Sequence, residues 1–115
     1  MRVLVFGGGD FTDSKALYSY LDKFHKNNPI DVIIEGDARG ADRMAGYWAR
    51  KNGVDLLIFP ADWKSHGKAA GFLRNRQMRD EGKPDVGVAC PGGRGTEMMK
   101  KLLEEVGIPV YDIAS

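Results

Sequence analysis

The chain alternates short apolar runs with longer stretches whose apolar positions recur every three or four residues. Arg2–Phe6 reads as a strand buried on both faces, and Asp31–Glu35, Leu56–Phe59 and Val86–Cys90 repeat that pattern. Helical periods lie between them. From Ser14 to about His25, Leu17, Tyr20, Leu21 and Phe24 share one face, with Asp13 or Ser14 as cap and Asn27-Asn28-Pro29 as stop. Gly40–Lys51 turns Ala41, Met44, Ala45, Trp48 and Ala49 inward. Another helix runs from about Lys68 to Asp80, and Glu97–Val106 turns Met98, Met99, Leu102, Leu103 and Val106 inward. Val110-Tyr111 can add a short last strand. This alternation predicts an α/β fold, a layered sandwich with a mostly parallel sheet of about five strands and right-handed crossovers. One domain over residues 1–115 is expected at this length.

Glycine is over-represented: 15 of 115 residues, about twice the usual ~7%. Gly7, Gly8, Gly9, Gly36, Gly40, Gly92, Gly93 and Gly95 all sit just after apolar runs. In a parallel sheet the carboxyl ends of the strands share one edge, and ligands bind in the crevice there. Loops distant in sequence are therefore expected to meet at one pocket. Pro91-Gly92-Gly93-Arg94-Gly95-Thr96 leads from a strand into a helix. That arrangement makes a phosphate cradle: glycines let the backbone approach an anion, and the first helical N–H groups point at it. Thr96 adds a hydroxyl and Arg94 a fork of donors.

The other candidates are graded by their surroundings. Gly7-Gly8-Gly9-Asp10 lacks the G-x-G-x-x-G spacing, since position 12 is Thr12, and no P-loop lysine follows the later glycines. Nicotinamide, flavin and P-loop sites are disfavoured, and the first loop is a tight turn or a ligand contact. In Gly36-Asp37-Ala38-Arg39-Gly40-Ala41-Asp42, Arg39 suits a phosphate or carboxylate. Asp42 either serves its own helix start or accepts from a ribose hydroxyl or base edge. Trp63 can stack on a base or cover the core or a subunit contact. Gly71, inside a helical stretch, points to close backbone approach or to a helix that starts near Phe72. Arg74 and Met78 share a helical face. His25, His66 and Cys90 have no metal-ligand spacing, so no metal is expected. Cys90 reads as a small buried residue, with a reactive thiolate as the lesser alternative.

Charge and composition narrow the class. Lys plus Arg number 17 and Asp plus Glu 16, a net charge of +1, so bulk charge draws the chain to neither nucleic acid nor membrane. Apolar runs are far shorter than the ~20 residues of a membrane span. A single cysteine and a start without signal-peptide pattern fit a cytoplasmic location.

Taken in order, Gly36–Asp42, Pro60-Ala61-Asp62-Trp63, Gly67-Lys68-Ala69-Ala70-Gly71, Arg74-Asn75-Arg76-Gln77-Met78 and Pro91–Thr96 resemble the SLOG superfamily, most closely its stand-alone YspA-related branch. The resemblance implies a modified Rossmann fold that binds a nucleotide or nucleotide-derived molecule, with phosphate at Gly92, Gly93, Gly95 and Thr96. The ligand-binding set becomes Gly7, Gly8, Asp10, Gly36, Arg39, Gly40, Asp42, Trp63, Lys68, Arg74, Asn75, Pro91 and the residues from Gly92 to Thr96. The chain is distantly similar to Lonely-guy phosphoribohydrolases, whose pattern is roughly P-G-G-x-G-T-x-x-E after R-K-x-x-M. Here Asn75 replaces the lysine and Met99 stands at the glutamate. The leading expectation is thus a binding module with a bound nucleotide as ligand and no required cofactor. A nucleoside-monophosphate N-glycosidase using Arg74, with Glu97, Asp42 or Asp10 as its acid, is the alternative. A third is an accessory protein for single-stranded nucleic acid, disfavoured by the charge. The resemblance also implies a homo-oligomer, with a dimer favoured, and Trp48, Phe72 and Met99 are candidates for its contact surface.

Overall fold

The computed structural model describes residues 1–114. Its strands are β1 (Arg2–Phe6), β2 (Val32–Glu35), β3 (Asp55–Ile58), β4 (Val86–Ala89) and β5 (Val110–Asp112). Its helices are α1 (Ser14–Asn27), α2 (Ala41–Lys51), α3 (Trp63–His66), α4 (Ala70–Asp80) and α5 (Arg94–Glu104), with a 3-10 turn at Gly67–Ala69. The sheet runs β3-β2-β1-β4-β5, and every pairing in it is parallel. Val3 of β1 aligns with Ile33 of β2 on one side and Val86 of β4 on the other. The chain winds outward through β2 and β3, then returns to the far side of β1. The order therefore reverses between β1 and β4, the place where a doubly wound sheet opens a crevice.

Side chains of successive β1 residues point to opposite faces, and both faces are covered. Val3 and Val5 pack with Ile33 and Val88 under Leu17 and Leu21 of α1 and Ala45, Trp48 and Ala49 of α2. Leu4 and Phe6 pack with Ile34 and Ala89 under Met78 of α4 and Met99, Leu102 and Leu103 of α5. Local signals set the ends. Asp13, not Ser14, caps α1, accepting from the Ala16 N–H at 3.1 Å. The turn at Asn27-Asn28-Pro29 is closed by His25, whose Nδ1 accepts from the Ile30 N–H at 2.9 Å. No described helix is long and apolar enough to cross a membrane.

Several expectations need correction. The helix expected from Lys68 begins at Ala70, because Asp62 caps a separate turn at Trp63–His66 by accepting from the Ser65 N–H. Gly71 meets only ordinary contact there: a Cβ would lie 3.5 Å from the Trp63 ring. It marks neither close backbone approach nor a helix start at Phe72. The last helix ends at Glu104, where the Ile108 N–H turns back to the Leu103 carbonyl, and Val106 is exposed rather than inward. Trp48 and Met99 are buried, so of the residues offered as an outer contact surface Phe72 alone is exposed.

Candidate functional site

The three glycine loops meet at the carboxyl edge of the sheet. The Gly8 N–H of the first loop donates to the Pro91 carbonyl of the third at 3.0 Å. The backbones touch so closely that a Cβ on Gly92 would collide with the Thr96 hydroxyl and come 2.6 Å from the Gly8 nitrogen. The second loop joins at Gly40, which takes φ +84 and whose added Cβ would run into the Gly8 carbonyl oxygen. Only glycine meets both demands at that position. Arg39 of the second loop also reaches Asp10 of the first, Nη2 to Oδ1 at 3.1 Å, in an exposed ion pair.

Above this junction lies a cleft of about 230 Å³. Its floor is Gly7, Gly8 and Gly9, and its walls come from Asp42 of α2, Arg74, Asn75 and Met78 of α4, and Gly93, Gly95, Thr96 and Met99 around the start of α5. A groove of about 490 Å³ adjoins it along Gly8, Gly9 and Gly93, and runs past Asp10 and Asp13. A further groove leads from Arg74 over Gly36 and Ala38 to Pro60 and Trp63. The cleft alone is smaller than the ~300 Å³ at which small-molecule sites usually begin, so a nucleotide-sized ligand would extend into one of these grooves.

The polar side chains of the cleft are unusually deep. Asp42 is 4%, Asn75 6% and Thr96 6% exposed. Asp42 does not cap its own helix. Its Oδ2 accepts from the Gly36 and Ala38 N–H groups at 3.2 and 3.4 Å, bracing the second loop. Arg74 holds the same loop from the other side, donating from Nη1 to the Gly36 carbonyl at 2.5 Å and from Nε to Asn75 Oδ1 at 2.9 Å. Burial raises the Asp42 carboxyl to about 6, against the opposing pull of the Arg74 guanidinium and the two backbone N–H groups. Among the described residues no sealed side-chain nitrogen or oxygen lacks a partner. The positions left over, the second oxygen of Asp42, the amide nitrogen of Asn75 and the hydroxyl of Thr96, are therefore ones that open on the cleft.

Other expected site residues stand outside it. Glu97 is exposed and pairs with Lys100 at 3.3 Å, so it does not line the cleft. Lys68 is exposed on the 3-10 turn, and Arg94 is exposed at the first position of α5. Trp63 is 60% exposed at the end of its groove. Pro91 and Gly92 border the adjoining groove. Met99 lines the cleft where the phosphoribohydrolase pattern has its glutamate. Cys90 is buried beneath the first loop, and burial, then the Asp42 charge, push its thiol up to about 12. That removes the reactive-thiolate reading.

One group escaped the sequence reading. Glu35, the last residue of β2, is 2% exposed. Its Oε1 accepts from the Asp37 N–H at 2.7 Å, and its other oxygen lies against α2, 2.9 Å from a Cβ built on Gly46. Burial raises it to about 7, with the Asp42 and Asp37 charges adding to the rise and the Asp37 N–H and Arg50 opposing it. Its one signal in the sequence is a charged residue joined directly to a buried apolar strand.

A family model described as the YspA, cpYpsA-related SLOG family matches residues 1–66. The chain belongs to that family. The matched segment of this SLOG protein carries the first two glycine loops and Trp63, while Arg74, Asn75 and the third loop lie beyond it. The Gene 61 protein of Mycobacterium phage D29 is similar along the chain, 38% identical over 119 residues, which cover 96% of this SLOG protein and 94% of the relative. No solved structure matches this SLOG chain.

Proposed function

We propose that the protein binds a nucleotide or nucleotide-derived small molecule in the cleft at the carboxyl edge of its sheet, with a phosphate at the start of α5. The observation that carries this reading is Thr96: a nearly buried hydroxyl, with no partner of its own, facing the cleft in the first turn of an 11-residue helix. The N–H groups of that turn and the dipole behind them favour an anion there. Gly93 and Gly95 have nothing within 4 Å of an added Cβ, which leaves their backbone open to a ligand. Membership of the SLOG family is consistent with nucleotide-related binding. Gly7 and Gly8 supply the floor, Arg74 and Asn75 the polar wall, and Trp63 a stacking surface for a base that leaves the cleft along the groove beside Arg74. Arg39 and Arg94 act at the rim by neutralising charge.

Native mass spectrometry of the purified protein, before and after mild denaturation, tests this directly and reads the oligomeric state as well. A released nucleotide mass is the expected result. If the protein is empty, calorimetry against a panel of nucleotides follows. Absence of both heat and melting shift at saturating concentration would overturn the reading.

Hydrolysis of an N-glycosidic bond is a second reading, favoured by one observation: Asp42, buried and raised to about 6, shares the cleft with Arg74. Glu97 is not the acid it would use. Release of free base from nucleoside monophosphates, lost in Asp42→Asn and in Arg74→Ala, would support it. Turnover that survives both substitutions would eliminate it.

A further inference from the structure

Three consecutive N–H groups of the second loop are held by side-chain carboxyls. Asp42 Oδ2 takes those of Gly36 and Ala38 at 3.2 and 3.4 Å, and Glu35 Oε1 takes that of Asp37, between them, at 2.7 Å. The turn is strained, since Asp37 adopts φ +58 without being glycine. Positive charge is supplied unevenly to the three carboxyls of this cluster. Arg43 of α2 pairs with Asp37 at 3.3 Å, and Arg74 of α4 stands on the Asp42 side, bound to the Gly36 carbonyl. Glu35 forms no ion pair among the described residues: Arg50 of α2 is exposed and acts on it only from beyond bonding distance. Asp37 and Asp42 add negative charge around Glu35, and the Cys90 thiol after β4 faces Asp42. On the side of α2 the second oxygen of Glu35 meets only the bare backbone at Gly46.

We propose that the second loop, Gly36 to Gly40, is a proton-controlled gate on the cleft: it is shut while Glu35 carries a proton and loosens when that carboxyl ionises. A buried carboxylate without a paired cation is costly, and admitting water relieves the cost. Water can reach Glu35 past α2 or past the loop. The helix does not yield, because Ala45, Trp48 and Ala49 anchor it in the core. The backbone of Glu35 does not yield either, since its carbonyl accepts from the Phe59 N–H at 2.9 Å. The loop does: Asp37 and Arg39 are exposed, and its N–H groups depend on the two carboxyls themselves. Its movement reaches the cleft. Ala38 lines the wall, and Arg74, which lines it too, is tied to the loop through the Gly36 carbonyl. Loosening therefore draws Ala38 away and frees Arg74. The gate belongs to the protein without ligand, so it stands or falls independently of the nucleotide reading.

The test is hydrogen exchange of the Gly36, Asp37 and Ala38 amides, read one by one by NMR and corrected for the intrinsic rate, in wild type and Glu35→Gln at pH 6 and pH 8. A carboxyl at about 7 when shut and at its ordinary 4.5 when wetted shifts the loop equilibrium about tenfold towards open over that range. The Asp42 carboxyl, at about 6, is mostly ionised by then and adds about twofold. Protection of the three amides in wild type should therefore fall at least about tenfold from pH 6 to pH 8, and in Glu35→Gln by no more than about threefold. The Leu4 and Val5 amides of β1 should stay at least about tenfold better protected than the loop at both values, which marks the opening as local. Wild-type protection that does not change with pH overturns the proposal, and so does an equal fall in Glu35→Gln. Loop amides that exchange only together with those of β1 overturn it as well, because the loop then opens by global unfolding alone. Should Glu35→Gln fail to fold, the wild-type comparison of loop and β1 amides decides.

Discussion

Replacing Glu35 by Gln should make the protein more stable at alkaline pH and leave it nearly unchanged at acidic pH. The carboxyl is 2% exposed and raised from 4.5 to about 7. At about 1.4 kcal/mol per pH unit, that rise corresponds to roughly 3 kcal/mol of ionisation cost carried by the folded state. Between these two values the folded protein holds the proton more firmly than the unfolded chain. Stability from this group is therefore full below about pH 4.5 and is lost as pH rises through about 7. Gln keeps an oxygen to accept the 2.7 Å bond from the Asp37 N–H but carries no charge. The measurement is urea unfolding of wild type and Glu35→Gln at pH 5 and pH 8. Because part of the cost is already present at pH 5, the stability advantage of the variant should grow by about 2 kcal/mol between the two. The raised Asp42 titrates in both proteins and largely cancels in this comparison. An advantage that does not change with pH would refute the account, and so would a variant that loses stability at pH 8.

Three further outcomes follow from the same geometry. Gly95→Ala should leave the fold as stable as before or up to about 1 kcal/mol more stable, since it lies in a helix and its Cβ meets nothing within 4 Å. It should nevertheless weaken nucleotide binding at least tenfold, whereas Gly40→Ala, at φ +84 and against the Gly8 carbonyl, should lower stability by about 1–3 kcal/mol; paired melts and titrations separate the two. Trp63→Ala should change stability by less than about 0.5 kcal/mol, because the ring is 60% exposed. It should cost about 1–3 kcal/mol of affinity for nucleotides but not for ribose 5-phosphate, as loss of a base stack does. Cys90, with its thiol pushed up to about 12, should resist a thiol reagent at pH 8 until denaturant is added; rapid labelling of the native protein would contradict its burial.

The architecture was legible because its signals are periodic. Doubly buried runs spaced by amphipathic stretches admit few arrangements other than a parallel sheet with helices on both faces. Once the strands are parallel, the meeting of the glycine loops follows from topology, and the Gly8–Pro91 bond and the Gly40–Gly8 contact show how tight that meeting is. Periodicity fails where a helix ends. Nothing in the spacing of Leu102, Leu103 and Val106 reveals that the chain leaves the helix at Glu104. It also fails at the first turn, where a side chain reaches back over the preceding loop instead of following the helical face.

Asp42 shows what that failure hides. By position it is an acidic residue in the first turn of α2, the ordinary place for one, and its apolar neighbours Ala41 and Ala45 point into the core. Its depth arises from elsewhere in the chain: Arg74, 32 positions later, draws the Gly36 carbonyl toward α4 and folds the second loop over the carboxylate. Glu35 is hidden for a related reason. A charged residue at the end of a strand looks like the edge of the sheet, and its burial comes from α2 at Gly46 on one side and the turn that begins at Gly36 on the other. Both carboxyl groups are raised because the same turn, Gly36 to Gly40, closes over them, so a substitution that opens this turn should lower both together. Arg74→Ala is that substitution: its loss of the Gly36 bond should let water reach Asp42 and Glu35, while removing the nearby positive charge works the other way on Asp42. Carbon-detected NMR titration of the two carboxyls separates the effects. A fall at Glu35 with little net change at Asp42 is the pattern the geometry requires, and a Glu35 value that stays near 7 would mean that α2 alone keeps it dry.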